Sequence, residues 1–287
     1  MVETILNLIV QGVLIGGLYA LFALGLSLSL GVMRFVNIAH GDMIVLFSFV
    51  LLSLTGVLGW SPFLVALILL PVAFGLGWLL QRFLLQRTVG KGILPILLVT
   101  FGLSIIIQNG LLEAYGPNTR KLSGGAIELA ALRLGPIDVG VYPLLVFLLA
   151  VALIAGLDAF LYRTAIGARI RAVADDPAAA DLIGLTSARI YPVAMGVVGI
   201  TMLVAASCMS VWTNFDPSIG PSRLLAAFEA VVLGGLGSLW GTLIGGVIIG
   251  VAQNFGSQID ASWQILAQHL VFLVALVFRP QGLFARS

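Results

Sequence analysis

The chain has 287 residues, 60% hydrophobic and 9% charged, with a net charge of +2 at pH 7. Soluble domains carry about 25% charged residues, so this composition excludes a water-soluble globule, and basic residues too few to form a stripe exclude a nucleic-acid partner. The single cysteine, Cys208, excludes a disulfide framework and a cysteine metal set.

Apolar segments alternate with short polar breaks. They predict an all-α polytopic membrane protein with about eight to ten transmembrane or half-membrane helices, forming one domain over 1–287. The expected spans are 4–33, 42–58, 61–81, 93–112, 141–162, 190–212, 224–236, 238–255 and 264–278. The first has no basic n-region or cleavage site, so it reads as a retained span rather than a signal peptide. It would be about 45 Å long, and is expected to tilt, to bend near Gly16-Gly17, or to break near Gly25 and Gly31.

At the first break stand Asn37, His40 and Asp42. Asp42 is placed to cap the next helix, and Arg34 either pairs with it or marks the membrane boundary. Pro95, Pro143 and Pro192 mark first turns of later spans, where a missing N–H costs nothing. The segment 113–140 is expected to be an extracytoplasmic loop, with turn signals at Gly116-Pro117 and Gly135-Pro136 that suggest a small ordered cap such as a hairpin. Asp158 and Arg163 read as an interfacial anchor pair.

Two glycine-rich interruptions fall in corresponding halves, "ALGLSLSLGVMRFVNIAHGD" early and "FEAVVLGGLGSLWG" late. Paired broken helices point to a transport path, while glycines at four-residue spacing also serve plain helix packing. Candidate path residues are Ser27, Ser29, Asn37, His40, Asp42, Glu229, Gly234, Gly235 and Gly237. Glu229 is a carboxylate within an apolar run, which reads as functional or as lying near the outer interface.

The stretch from Arg163 to Arg189 holds seven of the chain's 14 basic and 12 acidic residues. "ADDPAAADLIG" reads as a short helix: Asp176 at the N-cap, Pro177 first, Gly184 just past the end, and Ala179, Leu182 and Ile183 on one face. Arg169 to Ala174 predicts a further helical turn ahead of it, and Thr186 or Ser187 caps the next span. The segment is either an amphipathic connector on lipid headgroups or a docking surface for a cytoplasmic partner. Nine crossings with the N-terminus outside place ten Arg and Lys residues inside against four outside, including Arg34 and Arg286 inside and Arg133 outside.

"GLYALFALGLSLSLGVMRFVNIAHGDM", "GARIRAVADDPAAADLIGL", "AFEAVVLGGLGSLWGTLIGGVIIG" and "RPQGLF" occur in that order. Together they resemble the branched-chain amino acid permease family of bacterial ABC importers, closer to its LivH-type than its LivM-type subunit. The resemblance implies a multi-pass protein of the bacterial cytoplasmic (inner) membrane, with 163–189 as a cytoplasmic coupling segment that docks on an ATPase through Arg169, Arg171, Asp175, Asp176, Pro177, Asp181 and Gly184. Implied partners are a second permease subunit, similar or identical, two cytoplasmic ATPase subunits that use ATP and magnesium, an extracytoplasmic solute-binding protein docking on 113–140 and 213–223, and the lipid bilayer. Leucine, isoleucine and valine are the implied cargo, with urea, short amides or other small solutes as alternatives.

No G-x-x-x-x-G-K-[ST] loop, no HExxH and no clustered His, Cys and Asp set occur in the sequence. His40 and His269 read as hydrogen-bonded structural residues. The expectation is a non-catalytic subunit binding no cofactor and no metal. The competing class is an ion-gradient-driven secondary transporter coupling through Glu229, His40 or Asp42.

Overall fold

The structure is a computed structural model describing residues 2–134, 137–279 and 281–284. Gly135-Pro136, Pro280 and Arg286 lie outside the described residues. The elements are α1 (Val2–Met33), α2 (His40–Leu58), α3 (Pro62–Leu79), α4 (Ile93–Tyr115), α5 (Ala126–Leu129), β1 (Ala131–Leu134), β2 (Ile137–Gly140) and α6 (Val141–Arg163). There follow α7 (Ala165–Asp175), α8 (Pro177–Leu182), α9 (Ser187–Trp212), α10 (Gly220–Gly234), α11 (Leu239–Ser257) and α12 (Trp263–Phe278). Among the described residues seven helices are long and apolar enough to cross a membrane, counting α3 with its continuation to Arg87. α12 is a shorter apolar helix and α10 a half-length one. The chain is an all-α polytopic membrane protein.

α1 runs unbroken for 32 residues. Its glycines do not bend it; they admit neighbours. A Cβ on Gly16 would lie 2.5 Å from the Val247 Cα, and one on Gly250 would lie 2.4 Å from the Gly12 carbonyl oxygen. α1 and α11 therefore pack backbone to backbone, the small-residue solution for helices that gain nothing from hiding apolar surface in lipid. Each interior glycine costs roughly 0.5–1 kcal/mol of helix propensity, offset by dispersion over the close contact. Pro192 lies inside α9 because that helix starts earlier than its apolar run, at Ser187.

The helices repeat with inverted topology. In α1–α4 and again in α9–α12, a long helix ends, an extended segment re-enters the bundle, a new helix starts inside, and two more follow. The packing mirrors this order: α1 lies on α11 as α9 lies on α3, and α1 on α10 as α9 on α2. The second break is 213–219, not the glycine cluster at 234–237. That cluster is the tight turn between α10 and α11, with positive φ at Gly235 and Gly237.

At one end of the bundle α5 and the antiparallel pair β1–β2 form the expected cap. Arg120 and Phe215 exchange backbone hydrogen bonds of 2.7 and 2.9 Å, and the Leu122 N–H donates to the Ser210 carbonyl at 2.7 Å. At the opposite end α7 starts where Thr164 accepts the Gly167 N–H, and its buried Ile170 and Val173 hold it against the bundle.

Candidate functional site

The two re-entrant segments meet. His40 donates from Nε2 to the Phe22 carbonyl at 2.9 Å, and the Arg223 guanidinium lies 5.6 Å from the Phe22 ring centre. Phe22 is about 16 Å along the helix axis from Met33, close to half a hydrocarbon core of about 30 Å. The first turns of α2 and α10 thus start near mid-depth and run to opposite ends. A Cβ on Gly41 would lie 2.0 Å from the Gly220 carbonyl oxygen, and one on Gly220 would lie 2.0 Å from Asp42 Oδ1. Only hydrogen fits at either place.

Asn37, His40 and Asp42 come together here, all buried. Asn37 Oδ1 accepts the Ala39 N–H at 3.0 Å, which sets the turn before α2. Gly25 leaves room for the His40 ring, since a Cβ there would lie 3.0 Å from His40 Cε1. With Nε2 donating, the neutral ring leaves Nδ1 as an acceptor. Ser104 and Gln108 of α4 approach Asp42, yet neither Asp42 oxygen, nor Asn37 Nδ2, nor His40 Nδ1 has a partner with hydrogen-bond geometry. Buried polar atoms left bare cost about 1–3 kcal/mol each, so a cluster of them is a feature the fold retains at a cost. The first turns of two helices lie against each other at this place.

Other expected residues fall elsewhere. Asp42 is not a helix cap: Ala39 occupies the N-cap position and no side chain caps it. Nor does Arg34 pair with Asp42; its Nη2 donates to the Ala174 and Asp175 carbonyls at 2.9 and 3.3 Å. Both Glu229 oxygens are held by α12, one by Gln268 Nε2 at 2.7 Å and the other by His269 Nδ1. Glu229, buried, is therefore a clasp between α10 and α12. Gly234 packs on Gly241, and Gly237 on Gly31. Ser27, Gly31, Asp158, Arg171, Gly237 and Trp240 line a cavity of about 180 Å³ at the α7 end, while Ser29 is buried with its hydroxyl unpartnered. No ion pair joins Asp158 and Arg163 among the described residues.

In the segment 163–189 Asp176 accepts the Ala178 and Ala179 N–H groups, each at 3.0 Å, with Pro177 opening α8 and Gly184 at φ 82° closing it. Thr186 is the N-cap residue of α9, without a side-chain bond. Arg169, Asp175 and Asp181 are exposed. Arg171 is half-buried: its Nε donates to the Leu161 carbonyl at 3.0 Å and its guanidinium stacks 4.3 Å over Tyr162. Leu182 and Ile183 stand 89% and 74% exposed, whereas Ala180 is the residue that α8 buries.

A family model described as the branched-chain amino acid transport system / permease component matches residues 8–278. The chain belongs to that family. Among curated relatives, the high-affinity branched-chain amino acid transport system permease protein BraD of Pseudomonas aeruginosa is 28% identical, over 98% of this chain and 96% of its own length. The corresponding protein LivH of Escherichia coli K12 is 25% identical over 96% and 94%. The ribose import permease protein RbsC of Haemophilus influenzae is 35% identical over 40% of this chain and 38% of its own. No solved structure matches significantly. A permease of this family is a transporter component. Sequence reasoning missed Gly25, Gly220 and Asp216. The shared spacing of Asn37 to Gly41 and Asp216 to Gly220 was the available signal.

Proposed function

We propose that this chain is the membrane-spanning permease subunit of an ATP-driven importer in a bacterial cytoplasmic membrane, and that its cargo is a branched-chain amino acid or a chemically similar small solute. The observation that carries the reading is the meeting of α2 and α10 at Gly41 and Gly220, with Asn37 Nδ2, His40 Nδ1 and both Asp42 oxygens unpartnered among the described residues beside it. Two opposed half-helices leave dipole ends and unpaired polar atoms at mid-depth, where a zwitterion crossing hydrocarbon most needs them. So few polar groups hold a solute weakly, which suits a conduit that must release. Selectivity then rests with a soluble extracytoplasmic binding protein docking on 113–140. Residues 213–223 contribute less to that surface than sequence suggests, because 213–219 dives into the bundle.

The α7–α8 end faces the cytoplasm in this reading, supported by the excess of basic residues expected there. Two ATPase subunits, using ATP and magnesium, dock on α7 and α8, chiefly through Arg169, Asp175, Pro177, Asp181, Leu182 and Ile183. A second permease subunit, similar or identical, completes the path. The names of BraD and LivH support the cargo.

Gentle solubilisation of the tagged chain tests the assembly: stoichiometric ATPase subunits are expected to accompany it. ATP hydrolysis by that complex with its binding protein is then measured against leucine, isoleucine, valine, urea and short amides. Stimulation by the amides alone overturns the cargo. Uptake that survives ATP depletion and collapses with the ion gradient overturns the whole reading.

A further inference from the structure

Each re-entrant segment is tied to a different end of the molecule. Arg34 stands where α1 gives way to the first one, in the left-handed region at φ 56°, and is the single non-glycine residue with positive φ among those described. Holding a side-chain-bearing residue there costs of order 1–3 kcal/mol unless its surroundings enforce it. Here the surroundings are the last carbonyls of α7: the guanidinium bonds both Ala174 and Asp175, the favoured place for a cation on a helix dipole. Six residues further on is His40, whose ring is fixed to Phe22. At the other end, the backbone bridge between Arg120 and Phe215 ties the cap loop to the second segment, which leads to Gly220. Both ties converge on the Gly41–Gly220 contact.

We infer that Arg34 is a positioning residue that transmits displacement of the α7–α8 segment to the α2 half-helix, and that the Arg120–Phe215 bridge is its counterpart for the opposite surface. The inference rests on the proposed docking of ATPases on α7 and α8. One nitrogen, Nη2, donates to two consecutive carbonyls, charge-assisted bonds of the stronger kind, so movement of α7 carries Arg34 with it. Only five residues, Phe35 to Ala39, separate Arg34 from His40, and the hydrogen-bonded turn at Asn37 fixes the last of them, so the connection is short enough to pass that movement on.

The test uses the complete complex in proteoliposomes, comparing Arg34→Ala, Arg34→Lys and the parent chain. Three quantities are read: ATPase co-purification, basal ATP hydrolysis, and the stimulation of hydrolysis by loaded binding protein. The Ala variant is expected to keep the first two and lose about fivefold or more of the stimulation, the lower range of coupling between distant sites. Lys, a cation of shorter reach, is expected to recover part of it. A merely structural role would lower all three quantities together, and equal stimulation in parent and Ala variant overturns the inference. Should the Ala variant not insert, Arg34→Gln, which keeps an N–H donor without charge, carries the same comparison, and unchanged stimulation in it overturns the inference equally. A parent chain that recruits no ATPase defeats instead the proposed function, a separate result.

Discussion

Asn37 and Asp216 make the same turn in opposite halves of the chain. Each side-chain oxygen accepts the N–H two residues on, at 3.0 and 2.9 Å. Each backbone carbonyl accepts the N–H three residues on, from His40 at 3.1 Å and Ile219 at 3.4 Å. A glycine follows each, at Gly41 and Gly220. Short polar side chains that mimic a backbone turn let the chain reverse without a helix cap, and this one device starts both half-helices.

The first prediction follows from what lies between those glycines. Gly41→Ala would place a methyl group 2.0 Å from the Gly220 carbonyl oxygen, against rigid backbone that cannot move aside as a flexible side chain would. Overpacking of this kind costs typically about 1–3 kcal/mol. The variant is expected to insert, to melt several degrees lower in detergent, and to lose most uptake, because relief requires α2 and α10 to part. Gly56→Ala, which meets no atom within 4 Å, is the control and should keep the parent's uptake and melt no lower than the parent.

The apolar spans were legible because their lengths exceed what a soluble core helix needs, and the start of α3 also because Ser61 caps it before Pro62. Asp176 and Gly184 were legible for the same reason: capping is local chemistry. The matching of the two breaks was not. "TNFDPSIGP" has the composition of an exposed loop, and nothing in it records that it turns inward. "LGGLGS" attracted the reading because glycine density suggests a broken helix, whereas there it serves a turn and close packing on α1. Arg34 could not be linked to Ala174, 140 residues away, because a bond to a backbone carbonyl leaves no mark on the partner's identity.

A second prediction concerns the clasp between α10 and α12. Glu229 is 1% exposed, with both oxygens bonded to Gln268 and His269. Removing His269 leaves one oxygen bare; removing Gln268 as well leaves a buried carboxylate with neither partner. Measured couplings across membrane helices reach about 1.7 kcal/mol. A double-mutant cycle of Glu229→Gln with His269→Ala, read by unfolding in detergent, should therefore return a coupling of about 1 kcal/mol. Additivity within about 0.3 kcal/mol would show that the clasp carries no weight.

The third prediction separates local order from docking in α8. Asp176→Ala removes the acceptor for two N–H groups, a loss of typically about 1 kcal/mol, visible as faster amide exchange over 177–182. Leu182→Ser with Ile183→Ser removes side chains that are 89% and 74% exposed, so stability should change by no more than about 0.5 kcal/mol. ATPase co-purification is expected to fall sharply in the second variant with amide exchange unchanged. Normal recruitment there would remove these two side chains from the docking surface.

The cap loop supplies a pH dependence. Lys121 Nζ donates to Glu128 Oε1 at 2.5 Å, and the Gly124 N–H donates to Oε2 at 3.0 Å; these bonds, the lysine's first, hold the Glu128 carboxyl below the ordinary glutamate range. A carboxylate whose folded pKa is lowered contributes stability that is fully present above its unfolded value, about 4.3, and is lost as pH falls through the folded value. The Lys121 side chain is 41% exposed, so solvent screens the pair and its share is small, within the range of up to about 1 kcal/mol seen for surface pairs. The Gly124 amide, corrected for intrinsic rate, is expected to lose protection progressively below pH 4.3 in the parent chain. In Glu128→Gln its protection should be lower and level across the same interval. Identical profiles in the two chains would mean that the loop is held by its bonds to Ser210 and Phe215 alone.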